Sequence, residues 1–529
     1  KPSLIHRAQP LLVFLGVTAF YTFIQSSTVK HAGVDGFFHV KYASLLASGQ
    51  SLWEFPWLQG TLFRDHWVDH QFLFHVGLIP FTWVGDVLTA AKLAAVALPV
   101  AATFTFYLLI RHALARTPGL AKWAWIWALW LLASSQGMHY RLSMARAQPL
   151  AAAALAGALL LAFTGRHRWL IALGALFSWS YHAAVLLVPV TLAYAVSVYL
   201  VERRIAWRVP AYAAAGLLVG LLINPFFPDS LSFAFDHLFR FAAAQSPVAV
   251  PIEWTPFRLA FLVTKALGAF LATLIGTVAL VRARRWPALD TWCLLLLNVF
   301  FLALYIRFRR FIEYWPLFSV AFAALAIRDW NLADSRLDEA RTEGHPLLVG
   351  AVVLVPLLCG LTYTNAHATI REIEGHDRPA RFQGAAAWLA SHTPPGTVVH
   401  NAEWETFPQL FVHNHHNHWT LGLNLAFTYF KSPQLWALTE SLRAREGDAI
   451  TDVARALKGS FGADYVVTQH GALGLLALAK KSTSGLASVY DDGDVVVYRL
   501  VPSRDSVVVE PELSARVPAK RPGADCQTM

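Results

Sequence analysis

The chain has 529 residues, 56% of them apolar and only 14% charged, with a formal net charge of +10. Soluble domains average about 45 to 50% apolar and about 25% charged residues, so this composition excludes an ordinary soluble enzyme and points to a chain solvated by lipid. The basic excess lies in short clusters between apolar runs, which reads as a topology signal and not as a nucleic-acid surface, and three cysteines are too few for a disulfide framework.

The first apolar run, Leu11 to Ile24, has no small-residue cleavage site behind it and is followed by many more such runs, so it reads as a first membrane helix. A bilayer is crossed by about 20 mainly apolar residues. Runs of that kind predict spans near 8–27, 87–110, 121–138, 148–163, 169–180, 183–201, 209–224, 258–281, 289–306, 311–327 and 346–363. Basic clusters follow alternate spans: Arg111 to Lys122, Arg166 with Arg168, Arg203 with Arg204 and Arg208, and Arg282 with Arg284 and Arg285. The positive-inside bias puts all four in the cytoplasm and with them the N-terminus of a multi-pass protein of the plasma (inner) membrane. The pattern closes over about eleven spans if Phe72 to Val84, too short to cross, is an interfacial or half-buried helix.

The expected organisation is a polytopic α-helical membrane domain over 1–365 with a long outward first loop at 28–86, an extracytoplasmic α/β domain over 366–502, and a loose tail over 503–529 rich in proline and charge. Shorter outward connections fall at 139–147 and 225–257. In the C-terminal part, Thr397 to Asn401, Tyr465 to Thr468 and Val495 to Leu500 read as strands, with helical stretches at 380–391 and 449–458.

Several residues carry chemistry. In the first loop HAGVDGFFHVKY places Asp35 just past the first helix and His39 one turn later, where a carboxylate can cap a helix, orient an acceptor, act as a base or bind a cation. RDHWVDHQFLFH adds Asp65 and Asp69, and Asp35, Asp65 and Asp69 are the candidate ligands of a divalent cation, magnesium or manganese. Arg141 and Arg146 form an outward pair in HYRLSMARAQPL, and Glu253 precedes a membrane helix in VPIEWTPF. In YIRFRRFIEYWP, Arg307, Arg309 and Arg310 stand at the outer hydrocarbon boundary against the orientation bias, and a guanidinium there either snorkels or pairs, with Glu313 or with a lipid phosphate. NAEWETFPQLF and HNHHNHW mark the C-terminal domain, but the histidine spacing matches no common structural zinc pattern.

In this order the segments resemble the GT-C superfamily of membrane glycosyltransferases, most of all the catalytic subunit of oligosaccharyltransferase. DGFFHVKY is similar to that family's first-loop motif, its acid falling on Asp35. IEWTP is similar to the outer-loop motif whose acid helps hold metal and acceptor, which falls on Glu253. RRFIEYWP resembles the segment whose arginine approaches the carrier phosphate, with Arg310 the best match. EWETFPQL stands in the place of the Trp-Trp-Asp acceptor motif, with Trp404 and Glu405 as partial matches. The second outward loop, RLSMARAQPL, holds no acid where the oligosaccharyltransferases carry a pair.

The resemblance implies transfer of a sugar or glycan from a polyprenyl-phosphate-linked donor to an acceptor glycan, lipid or protein on the extracytoplasmic side, with no nucleic-acid partner. Asp35 and Glu253 would be catalytic, Arg307, Arg309 and Arg310 would bind the donor phosphate, and His39, Trp404 and Glu405 would bind the acceptor. The rival readings are a transporter or flippase of lipid-linked glycans, which commonly shows internal repeats not evident here, and a non-enzymatic membrane-anchored binding protein.

Overall fold

A computed structural model describes residues 4–50, 53–117, 120–236, 248, 251–334, 345–376, 378–443, 452–471, 475, 479 and 484–501. The 503–529 tail lies outside the described residues.

Every apolar run read from the sequence falls on helix: Leu4–Ser26, Val87–Ala115, Ala124–Ser134, Gln148–Phe163, Trp169–Ser180, Leu187–Glu202, Arg208–Leu222, Leu259–Thr264 with Leu267–Ala283, Leu289–Arg307, Trp315–Asp334 and His345–Glu374. Five described helices are long and apolar enough to cross a membrane, which makes this a multi-pass membrane protein; the remainder of the bundle includes shorter apolar helices. Phe72–Thr82 is one of those short helices and lies inside the first loop. Glycine allows the closest helix approach. A Cβ at Gly216 would stand 2.4 Å from the Ile171 carbonyl oxygen and one at Gly220 2.1 Å from the Ser178 hydroxyl, so only hydrogen lets Arg208–Leu222 seat on Trp169–Ser180.

The run at 258–281 is broken. Between its two helices the Lys265 carbonyl turns aside and accepts from the Ser135 hydroxyl (2.8 Å) and the Gly137 amide (3.2 Å), so the break leaves no orphan acceptor in the bundle. At one end of the bundle, where Leu289–Arg307 begins and Trp315–Asp334 closes, the buried Arg328 guanidinium donates in two parallel bonds to Asp290 (2.6 and 2.7 Å) and to Asp329 (2.8 Å). Asp329 in turn accepts from the Thr291 hydroxyl at 2.7 Å. A charge this deep persists because it is paired with carboxylates and hydrogen-bonded to them.

The C-terminal part builds a five-stranded sheet in the order β2-β1-β3-β5-β4, from β1 Val398–Asn401, β2 His418–Trp419, β3 Tyr465–Gln469, β4 Leu486–Asp491 and β5 Val495–Leu500. The first three strands in that order run parallel and β3, β5 and β4 antiparallel. The amphipathic helix Val453–Phe461 covers it with Val453, Ala454, Leu457 and Phe461, and Asp452 caps its start by accepting from the Arg455 amide (2.8 Å).

The first loop and the sheet share one core. Trp57 and Gln59 bracket Trp419 in backbone bonds of 2.8 Å each, Leu58 pairs with Trp419 as a parallel bridge, and the Trp57 indole donates to the His415 carbonyl at 2.7 Å. Phe38, Tyr42, Phe55, Trp57 and Phe63 are buried with Phe407, Phe411 and Trp419 in that core. The first loop is thus clamped to the sheet, with the helix Asp35–Ala47 held between Val87–Ala115 of the bundle and the helix Phe407–His413 of the C-terminal part.

Candidate active site

Asp35 is the first residue of the helix Asp35–Ala47; its side chain does not cap that helix and instead accepts from Arg146. Arg146 follows the short helix Gln136–Leu142, which the Ser135 hydroxyl caps by accepting from the Met138 amide (3.0 Å). Glu253 sits on the single turn Ile252–Trp254 just before Leu259–Thr264. Its carboxylate accepts from Arg141 (2.9 Å) and from Arg310, and lies 4.0 Å from Arg146. Arg141 also bonds Glu313, which is fully buried on the turn Arg309–Glu313, and Arg310 also donates to the Tyr181 hydroxyl and stacks over Trp254 at 5.1 Å.

Three guanidiniums and three carboxylates, from four segments distant in sequence, therefore converge at the end of the bundle opposite Arg328. Burial alone would raise the Glu253 carboxyl, but Arg310, Arg141 and Arg146 hold it down at about 2 against an ordinary 4.5, so it is ionised throughout the physiological range. Two polar atoms of the cluster, Glu313 Oε2 and the Tyr314 hydroxyl, are sealed from solvent without a hydrogen-bond partner among the described residues. Such orphans at a charged cluster are positions a ligand can satisfy.

Of the three arginines read as donor-binding, only Arg310 enters the cluster. Arg309 donates to the backbone on the far side of Glu253, from its amide to Thr255 (3.1 Å) and from its side chain to Pro256 (3.2 Å), which pins the Glu253 turn beside Arg310. Arg307 is exposed and lies over the Phe308 ring.

No family model and no curated protein matches this sequence. Solved structures do match. The archaeal oligosaccharyltransferase AglB from Archaeoglobus fulgidus, in complex with an inhibitory peptide and a dolichol-phosphate, superposes with a TM-score of 0.60 at 13% identity over 96% of this chain and 76% of its own. ArnT from Cupriavidus metallidurans bound to undecaprenyl phosphate superposes with a TM-score of 0.52 at 17% identity, over 94% and 99%. The chain has a GT-C-like fold. The mycobacterial arabinofuranosyltransferase AftD also matches, with a TM-score of 0.53 at 15% identity, over 94% of this chain and 42% of that one.

Within this GT-C-like fold, other residues singled out from sequence fall elsewhere. Asp65 pairs with Lys431 (2.9 Å), whereas Asp69 is buried and accepts from His75 (2.8 Å), which in turn bonds His39 (2.9 Å). Asp35, Asp65 and Asp69 thus take three separate partners and do not gather as a cation site; no such group of three occurs among the described residues. The spacing in sequence suggested a cluster, but the turn at Leu62–Arg64 and the packing of Trp67 send the two loop acids in different directions. His39 is buried in that relay. Trp404 packs against the satellite core of Leu421, Leu442 and Leu457, and Glu405 is exposed beside it, so neither joins the arginine cluster. The run HNHHNHW is structural, His413 bonding the Pro379 carbonyl (3.0 Å) and His416 that of Thr393 (2.8 Å).

Sequence reasoning missed Tyr181 and the assignment of Glu313 to Arg141. The signal for the second was the absence of any acid in the loop that supplies Arg141 and Arg146: two guanidiniums without local counterions must take them from other segments.

Proposed function

We propose that this protein is an integral-membrane glycosyltransferase that moves a sugar or glycan from a polyprenyl-phosphate-linked donor to an acceptor on the extracytoplasmic face. The observation that carries the reading is the convergence of Asp35, Glu253 and Arg310 at one end of a lipid-embedded bundle, in a fold shared with proteins solved with dolichol-phosphate and undecaprenyl phosphate. The basic clusters on alternate connections support a reading in which that end faces outside, with 1–365 as the membrane domain and 366–502 as the outer α/β domain.

In this reading the acceptor hydroxyl or amide attacks the anomeric carbon, its proton passes to the Asp35 carboxylate, and the bond from that carbon to the phosphate oxygen breaks with its electron pair leaving on the lipid phosphate. Arg310 neutralises the charge that develops there, its planar donors suiting two phosphate oxygens at once. Arg309 positions the Glu253 turn, and Glu253 orients the guanidiniums and the acceptor. Trp404 and Glu405 would meet the acceptor only at a distance from the reacting centre, as an outlying part of its path.

The test is Asp35→Asn in purified full-length protein reconstituted with a polyprenyl-phosphate sugar. The amide keeps the size but loses charge and basicity, so transfer should be lost while the folded, monodisperse protein is retained. Near-normal turnover would remove Asp35 from the chemistry.

A further inference from the structure

The fold family includes an oligosaccharyltransferase solved with zinc and sulfate, and the carboxylates brought together here, Asp35 and Glu253, are hard oxygen donors of the kind a divalent cation takes. Yet this chain has filled the space between them with its own cation. Arg146 bonds Asp35 through one terminal nitrogen and lies 4.0 Å from Glu253 through the other, so a single guanidinium bridges two acids that are far apart in sequence. Two like charges drawn together in a half-buried site need a positive charge between them. The segment that could have added a further acid, 139–147, adds Arg141 and Arg146 instead.

The charge balance closes without a metal. Arg141, Arg146 and Arg310 face Asp35, Glu253 and Glu313, and Glu313 is already committed to Arg141. In the donor-free site, a divalent cation added to this set would leave two uncompensated positive charges where Arg310 and Arg141 are only 12% and 15% exposed. Arg146 is the more open member of the group, with its Asp35 partner 36% exposed, and so stands at the rim that a donor headgroup meets.

We infer that Arg146 is the built-in bridging cation of this site, performing the electrostatic part that a divalent metal would otherwise perform between Asp35 and Glu253, so that transfer by this protein is independent of added metal. The inference rests on the glycosyltransferase reading for its catalytic half; its binding half stands on the geometry alone. A guanidinium also presents two parallel donors to a phosphate, which a spherical ion does not, so Arg146 fixes orientation as well as charge.

The experiment uses the full-length protein in lipid nanodiscs with Mn2+ as the probe, followed by electron paramagnetic resonance. The wild type should show no site that depends on Asp35. Arg146→Ser vacates the bridge and should bind Mn2+ at least tenfold more tightly than wild type. That gain should vanish in Arg146→Ser combined with Asp35→Asn, and should be absent in Arg146→Lys, which keeps the charge. If Arg146→Ser does not fold, Arg146→Gln serves in its place. In the turnover arm, chelator should leave the wild-type rate unchanged. Mn2+ binding by the wild type that Asp35→Asn removes, failure of both vacated variants to bind Mn2+, or a wild-type rate that falls more than tenfold in chelator and returns with Mg2+, would each overturn the inference. If no preparation transfers sugar, the glycosyltransferase reading fails, while the Mn2+ arms still decide whether Arg146 holds the cation position.

Discussion

Glu253→Gln isolates the competition between the protein's own carboxylates and a donor phosphate. The span from the ordinary 4.5 down to about 2, at roughly 1.4 kcal/mol per pH unit, corresponds to about 3 kcal/mol of net preference for the charged carboxylate, left after the guanidiniums have offset the cost of its burial. A phosphate that takes Arg310 must displace Glu253 from it and give up part of that preference. Glutamine is nearly isosteric but neutral, leaving the cluster one positive charge in excess. Polyprenyl phosphate should therefore bind more tightly to the variant, by up to about a hundredfold and by about tenfold if solvent at the rim screens half of the effect. Turnover should fall in the same variant, because on the proposed reading the group that orients the guanidiniums and acceptor is lost. Equilibrium binding of polyprenyl phosphate to nanodisc-embedded protein, paired with single-turnover transfer, measures both. Affinity unchanged within twofold, or weakened, would refute the idea that Glu253 is the resident counterion of the phosphate site.

Other outcomes are expected of the same structure. Arg310→Ala should weaken donor binding and slow single turnovers by roughly tenfold to over a hundredfold, the cost of about 1.5 to 3 kcal/mol for a charged hydrogen-bonding partner, and Arg310→Lys should recover only part; unchanged binding when Arg307, Arg309 and Arg310 are all alanine would remove the donor-phosphate assignment. Asp290→Asn leaves Arg328 buried without its two-point partner and should destabilise the bundle by about 3 to 5 kcal/mol, seen as a lower melting temperature in micelles, and an unshifted melt would show the pair to be dispensable. Glu403 is pushed up to about 7 by burial, so its contribution to stability is whole below about 4.5, where the unfolded chain titrates, and declines as pH rises to 7. Glu403→Gln should flatten that part of the pH profile of melting, and an identical profile would place the titration elsewhere.

The helices were legible because lipid imposes its own grammar: apolar runs, with basic residues between alternate pairs, need no tertiary information to be recognised. The candidate site was legible in pieces. Asp35, Glu253 and Arg310 each stood out as charge at a helix end, and their order along the chain matched a known layout, but nothing local says that Arg146 reaches Asp35 across 111 positions. The acids at Asp65 and Asp69 misled because density in sequence is not density in space when a turn and a buried indole divide the segment. β4 escaped notice because LASVYD has one edge exposed and no apolar alternation, and β2, at two residues, exists only through its neighbours.

The clamp between the first loop and the sheet sets a timetable for biogenesis. The Trp57 indole and the His415 carbonyl that receives it are 358 residues apart, and a ribosome adding about 5 to 20 residues per second needs roughly 20 to 70 s to supply the second after the first. Throughout that interval Phe38, Phe55, Trp57 and Phe63 lack the aromatic partners on the C-terminal side that bury them in the finished protein. A chaperone that shields this loop as the helices insert would raise yield without touching the mature fold. A chain arrested before Phe407 would present the same aromatic face to quality-control proteases, which makes loss of the C-terminal region a cause of degradation before it is a cause of inactivity.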